Sequence, residues 1–167
     1  MVKERINIFI DGGNFYHLVL KKLNTTELSF DFDKFANFIA NDREIVIDDR
    51  VVDYKKLLEK GIRKIQHEKL REKGIDVKLA TDLIVGAIDN KYDTAVIVSS
   101  DTDLVPAIDW IRNRMKKKVE YIGFSIPDEI DPLKFTNPSL SLIAKTDIQR
   151  TLIVSDIKPF IQATLFK

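Results

Sequence analysis

Residues 93–106 read Asp93-Thr94-Ala95-Val96-Ile97-Val98-Ser99-Ser100-Asp101-Thr102-Asp103-Leu104-Val105-Pro106. Ala95 to Val98 is an uninterrupted apolar run of strand length, the pattern of a strand covered on both faces. Leu104 to Lys117 then takes a helical period, with Pro106 in the first turn, where proline is tolerated. A buried strand feeding a helix through two aspartates is the unit from which the rest of the chain can be read.

Upstream, Ile6-Asn7-Ile8-Phe9-Ile10 is a second such strand and ends on Asp11. Phe15, Leu18, Val19 and Leu23 follow at helical spacing, and Phe32, Phe35, Phe38 and Ile39 repeat the pattern. Glu44 to Tyr54 reads as one long strand or as a hairpin of two short ones, and Lys55 to Lys73 as an amphipathic helix stopped by Gly74. Asp76 to Ala80 is predicted as a short strand, Asp82 to Asp89 as a helix and Val119 to Phe124 as a further strand. Beyond Pro127 the periodicity weakens, and Leu140 to Phe166 is expected to return as strand or helix. Strands alternating with helices predict an α/β fold with a mainly parallel sheet. The 167 residues suit one domain, with 127–167 as a C-terminal extension packed on the core.

Composition narrows the chemistry. There is no cysteine, which excludes disulfides, thiolate metal sites and Cys nucleophiles. With neither a signal peptide nor an apolar span in view, the expectation is a cytoplasmic protein with no membrane partner. Basic and acidic side chains number 27 and 26, so attraction to a polyanion has to be local. Two basic runs stand out, one from Lys55 to Lys73 and one from Arg112 to Lys118, and each on its own reads as a solvated helix face.

Ligands of open parallel sheets bind beyond the carboxyl ends of the strands. Asp11, Asp82 and the pair Asp101 and Asp103 all follow predicted strands, and they converge if those strands are neighbours. Four carboxylates in one cleft repel, and a hard cation such as Mg2+ or Mn2+ is the natural compensation. Asp82 and Asp101 are equally suited to capping the helices they precede. Gly12 and Gly13 form neither a dinucleotide fingerprint nor a Walker loop. His17 and His67 lack ligand-like partners. A haloacid-dehalogenase-type phosphatase needs a DxD at the end of the first strand, where this chain has Asp11-Gly12-Gly13.

Three segments, Ile8 to Phe15, Lys73 to Asp82 and Asp93 to Pro106, together resemble the NYN domain, a branch of the PIN-like nucleases, in the right order over residues 5–124. The resemblance implies a three-layer α/β/α sandwich and metal-dependent cleavage of RNA by Asp11, Asp82, Asp101 and Asp103 with bound Mg2+ or Mn2+. It matches Asn14 to the polar residue paired with the first aspartate, and Ser99 to a serine that orients a carboxylate or water. Asp76 matches a recurrent position but begins the predicted 76–80 strand, away from the site. Ser100 departs from the pattern, standing where glycine is common. On this reading Phe15 or Tyr16 stacks a base, and Lys116, Lys117 and Lys118 are candidates to hold the RNA backbone. The alternative is a non-catalytic RNA- or protein-binding module on the same fold, and a homo-oligomer is compatible with either.

Overall fold

The computed structural model describes residues 3–46, 75–128, 131 and 133–162. Within them five strands form one sheet: β1 (Arg5–Ile10), β2 (Glu44–Ile45), β3 (Thr94–Val98), β4 (Lys118–Ser125) and β5 (Ile148–Ile153). Their order is β2-β1-β3-β4-β5 and every neighbouring pair is parallel. From β1 the chain goes to one side to make β2 and returns on the other side to make β3. The crevice between the carboxyl ends of β1 and β3 is therefore the topological switch point, where parallel sheets bind ligands.

Strand β3 is buried along its whole length, as its apolar run requires. Its side chains alternate between two cores. Val96 and Val98 join Phe15, Val19, Phe35 and Ile39 on one face, while Ala95 and Ile97 join Leu83, Ile108 and Ile111 on the other. The helices α1 (Gly12–Phe15) and α2 (Phe32–Ala40) cover the first face. Helices α3 (Ile75–Ile88) and α4 (Val105–Arg114) cover the second. The result is the three-layer α/β/α sandwich with a PIN-like parallel sheet.

One expected strand is replaced by helix. Residues 76–80 belong to α3, so Asp76 sits in a helix and Asp82 follows no strand. Over five residues Ile75-Asp76-Val77-Lys78-Leu79 alternates with period two. Over the longer window Leu79, Leu83 and Ala87 recur every four residues and bury one helical face against β3 and α4. The longer period wins because it buries more apolar surface. The helix expected to reach Lys117 ends at Arg114, and Lys116 takes a left-handed backbone, φ 56°, before β4 starts. Val46 is the last described residue of the 44–54 segment, so the choice between strand and hairpin, like the 55–73 helix and His67, lies outside the described residues.

The segment after Pro127 closes the sheet with β5. A short helix, Val154–Ile157, and the turn Lys158–Phe160 then place Ile157 and Phe160 in the first core. Phe160 packs against Phe30, Phe35 and Phe38, and its carbonyl accepts the Asp31 N–H at 2.8 Å.

A buried ion triad fastens β4 to its surroundings. Glu120 is 1% exposed and accepts from Arg43 at 2.7 Å and from Arg150 at 2.5 Å. Both arginines also donate to the carbonyl of Ile39 at the end of α2. Removing the carboxylate charge leaves two guanidinium groups half-buried and uncompensated. Glu120→Gln is expected to cost about 3–5 kcal/mol in denaturant unfolding, the range for breaking a buried pair. A loss within ~0.5 kcal/mol, the range of ordinary surface changes, would show the triad to be solvent-relaxed.

A second ion pair joins the starts of β1 and β3, with Arg5 reaching Asp93 at 2.8 Å. The Arg5 guanidinium, then the Arg5 N–H, hold the Asp93 carboxyl below its ordinary value. A depressed folded value means that this stabilisation is complete above the unfolded carboxylate value, about pH 4, and is lost as the pH falls through the folded one. Arg5→Met is therefore expected to melt below wild type at neutral pH, with the gap closing on acidification. A gap that stays constant in thermal melts across that window would assign the effect to lost packing of the arginine stem.

Candidate active site

The site is built by continuing the β1–β3 ladder one step past its last pair. Ile10 lies opposite Val98, and the next N–H, from Asp11, donates to the Val98 carbonyl at 3.1 Å. This holds Asp11 at 8% exposure beside Ser99, which is 2% exposed. The Asp11 carboxylate is gripped at both oxygens. Oδ1 accepts the Asn14 N–H at 3.0 Å, which caps the helical turn Gly12–Phe15, and Oδ2 accepts the Ser99 hydroxyl at 3.3 Å.

Ser99 carries the network across the crevice. Its Oγ accepts the Asp101 N–H at 3.0 Å, and Asp101 Oδ1 accepts the Asp103 N–H at 2.8 Å, which caps the turn Thr102–Leu104. Asp101 is half-buried and Asp103 exposed. A second crossing lies beside the first: Ser100 donates to Asn14 Oδ1 twice, from its peptide N–H at 3.0 Å and from its hydroxyl at 2.9 Å. Asp11 and Asn14 are thereby joined to Ser99, Ser100 and Asp101 across a separation of more than 80 residues. Ser100 was visible in the sequence only as a departure from glycine, and a hydroxyl and an amide so far apart carry no local signal of pairing.

Asp82 does not stand at a strand end as the sequence reading required. It lies within α3, where Lys78 one turn earlier reaches its carboxylate at 2.9 Å. That helix packs against α4 and against the Thr102–Leu104 turn that bears Asp103. Among the described residues no group of three or more His, Asp or Glu is placed to hold a metal ion, so the expected four-aspartate cluster is not assembled. Two carboxylates, Asp11 and Asp101, share the network. Each carboxylate oxygen offers about two acceptor sites, and these hydrogen bonds take one on each gripped oxygen. Such hard oxygen donors fit, in kind, the open sort of Mg2+ site made of one or two carboxylates with waters and substrate phosphates.

The aromatic and basic candidates are redistributed. Phe15 is 1% exposed and packs its ring against Phe30, Phe32, Phe35 and Phe124, so it is a core residue with no face left for a base. Tyr16, one residue on, points away from that core at 37% exposure, with its ring edge-to-face with His17. Lys116 and Lys117 precede β4 and Lys118 opens it, so all three lie at the amino edge of the sheet, around a groove shared with Lys3, Glu4 and Asp93. The rise of a five-residue strand separates this edge from the Asp11 edge by roughly 15 Å. They do not line the carboxyl-edge crevice.

A parallel sheet in this order, with an Asp-Ser-Asp line at its switch point, defines a PIN-like α/β domain. The profile of the NYN domain matches residues 5–146, and the chain belongs to this nuclease-like family. No curated protein matches the chain. Among solved structures it is similar to a protein of unknown function from Vibrio parahaemolyticus, with a TM-score of 0.60 at 23% identity over 93% of this chain and 96% of that one. At that identity the likeness concerns the fold alone. No helix among the described residues is long and apolar enough to cross a membrane.

The neighbours Phe15 and Tyr16 offer a direct check on this placement. Phe15→Ala is expected to destabilise the fold by about 3–5 kcal/mol, the range for truncating a core phenylalanine. Tyr16→Ala is expected to change stability by no more than ~0.5 kcal/mol in the same urea titration. Equal losses at the two positions would contradict the assignment of one ring to the core and the other to the surface.

Proposed function

We propose that the chain is a metal-dependent ribonuclease acting at the carboxyl-edge crevice between β1 and β3. The observation that carries this reading is the hydrogen-bonded line from buried Asp11 through Ser99 to Asp101 at the switch point of a nuclease-like fold. Asp11 and Asp101 would hold Mg2+ or Mn2+, and Asp103 and Asp82 would enter from the adjacent turn and helix. The ion, when bound, supplies a Lewis acid for a phosphate oxygen and lowers the pKa of a coordinated water. Ser99 orients both flanking residues, since its hydroxyl donates to one aspartate and accepts from the backbone of the other. Tyr16 provides an exposed ring on which a base can stack.

The lack of a three-ligand group among the described residues favours a second reading, a fold that binds RNA without cutting it. Incubating the purified protein with labelled single-stranded RNA, in Mn2+ and in chelator, separates the two. Cleavage is expected in Mn2+ and not in chelator, with Asp11→Asn or Asp101→Asn lowering the rate roughly 100-fold or more. Cleavage that persists undiminished in chelator would refute metal dependence. Stable binding with no cleavage would establish the binding module.

A further inference from the structure

Asn14 has two chemically different ends, and the structure commits one of them. Its Oδ1 receives both the peptide N–H and the hydroxyl of Ser100, at 3.0 and 2.9 Å. An amide oxygen has two lone-pair sites, so this oxygen is fully used. The peptide N–H is always a donor, so turning the amide over would set NH2 against N–H and is disfavoured, which fixes the assignment of oxygen and nitrogen. The Nδ2 group has no acceptor among the described residues. No buried side-chain nitrogen or oxygen among them lacks a partner, so Nδ2 faces solvent. Asn14 itself is half-buried, and its backbone N–H is tied to Asp11 Oδ1 at 3.0 Å.

An asparagine binds a cation through Oδ1 and an anion through Nδ2. We infer that Asn14, locked by Ser100, presents its Nδ2 amide as a hydrogen-bond donor to a phosphodiester oxygen of the substrate beside Asp11, and does not act as a metal ligand. Ser100 is then the positioning residue, since its hydroxyl and N–H determine which end of the amide is offered. Beside a carboxylate that repels phosphate, a neutral donor held in place attracts the anion without competing for the cation. This inference rests on the ribonuclease reading for its substrate class, and it gives Asn14 a role within that reading.

Binding measured without metal tests the inference separately from catalysis. The probe is a fluorescein-labelled single-stranded RNA, titrated in chelator by anisotropy at low and moderate salt, with each variant checked for folding by circular dichroism. Asn14→Asp preserves an oxygen for both Ser100 bonds and exchanges the donor for an acceptor. Asn14→Ala removes the donor without adding charge. Both are expected to weaken binding roughly tenfold or more, as loss of a hydrogen bond to a charged group does, and the loss should persist at moderate salt. Ser100→Ala leaves the peptide N–H in place and should weaken binding roughly threefold, while Ser100→Thr, which keeps the hydroxyl, should restore it. If Asn14 is merely a strut for Ser100, Asn14→Asp will lose affinity only through its added charge, and that loss will vanish at moderate salt. If Asn14 is a metal ligand, Asn14→Asp will bind Mn2+ more tightly and its RNA affinity in chelator will again fall only in the salt-sensitive way. Either result overturns the inference, as does a wild type that does not bind the RNA. A wild type that binds with this pattern and fails to cleave in Mn2+ overturns the ribonuclease reading and leaves the donor assignment standing.

Discussion

Much of the molecule follows from the way β1 pairs with β3. Five consecutive residue pairs, from Ile6 with Thr94 to Ile10 with Val98, set two distant segments in parallel register. A shift of one residue would turn Val96 and Val98 into the core that receives Ala95 and Ile97, and neither core could accept the exchange. Because packing on both faces fixes the register, it also fixes what comes next. Asp11 must emerge beside Ser99, where its N–H continues the ladder and its carboxylate meets a hydroxyl. The geometry of the crevice is thus a by-product of core packing.

The aspartates of the crevice serve local structure and are at the same time available to the proposed site. Asp11 and Asp101 each accept a backbone N–H at the start of a helical turn, as capping residues do, and each has oxygen capacity beyond that bond. Capping and ligand binding are therefore not competing explanations at these positions. A carboxylate anchored by its own backbone is held in one rotamer, and that preorganisation lowers the cost of placing it opposite a cation or an attacking water. Asp82 stands on a helix, where an i,i+4 lysine reaches its carboxylate.

Charge is divided between the two edges of the sheet. The carboxyl edge carries the buried and half-buried aspartates with the Ser and Asn that link them, while the amino edge gathers Lys3, Lys116, Lys117 and Lys118 around Glu4 and Asp93. Since parallel strands share one direction, residues that precede and follow them are sorted to opposite ends. A lysine run that follows a helix and leads into a strand cannot serve the end where strands finish.

The α/β class, four of the strands and the placement of Asp11 and Asp101 at strand ends were legible in the chain alone, as was the resemblance to the NYN domain through three ordered motifs. All but that resemblance rest on composition and on apolar periodicity along the chain, both local properties. Residues 76–80 show where locality fails, because five alternating residues look like a strand until a helix face shared with β3 and α4 outbids them. The same holds for Phe15 and Tyr16, equal in sequence, one of which the first core claims. That Asn14 and Ser100 meet, that Asp82 rides a helix and that the lysines belong to the far edge came from the folded arrangement. Each of these depends on which strands are neighbours and which way they run, and burial of apolar surface across the whole sheet decides that, not any residue's own preference.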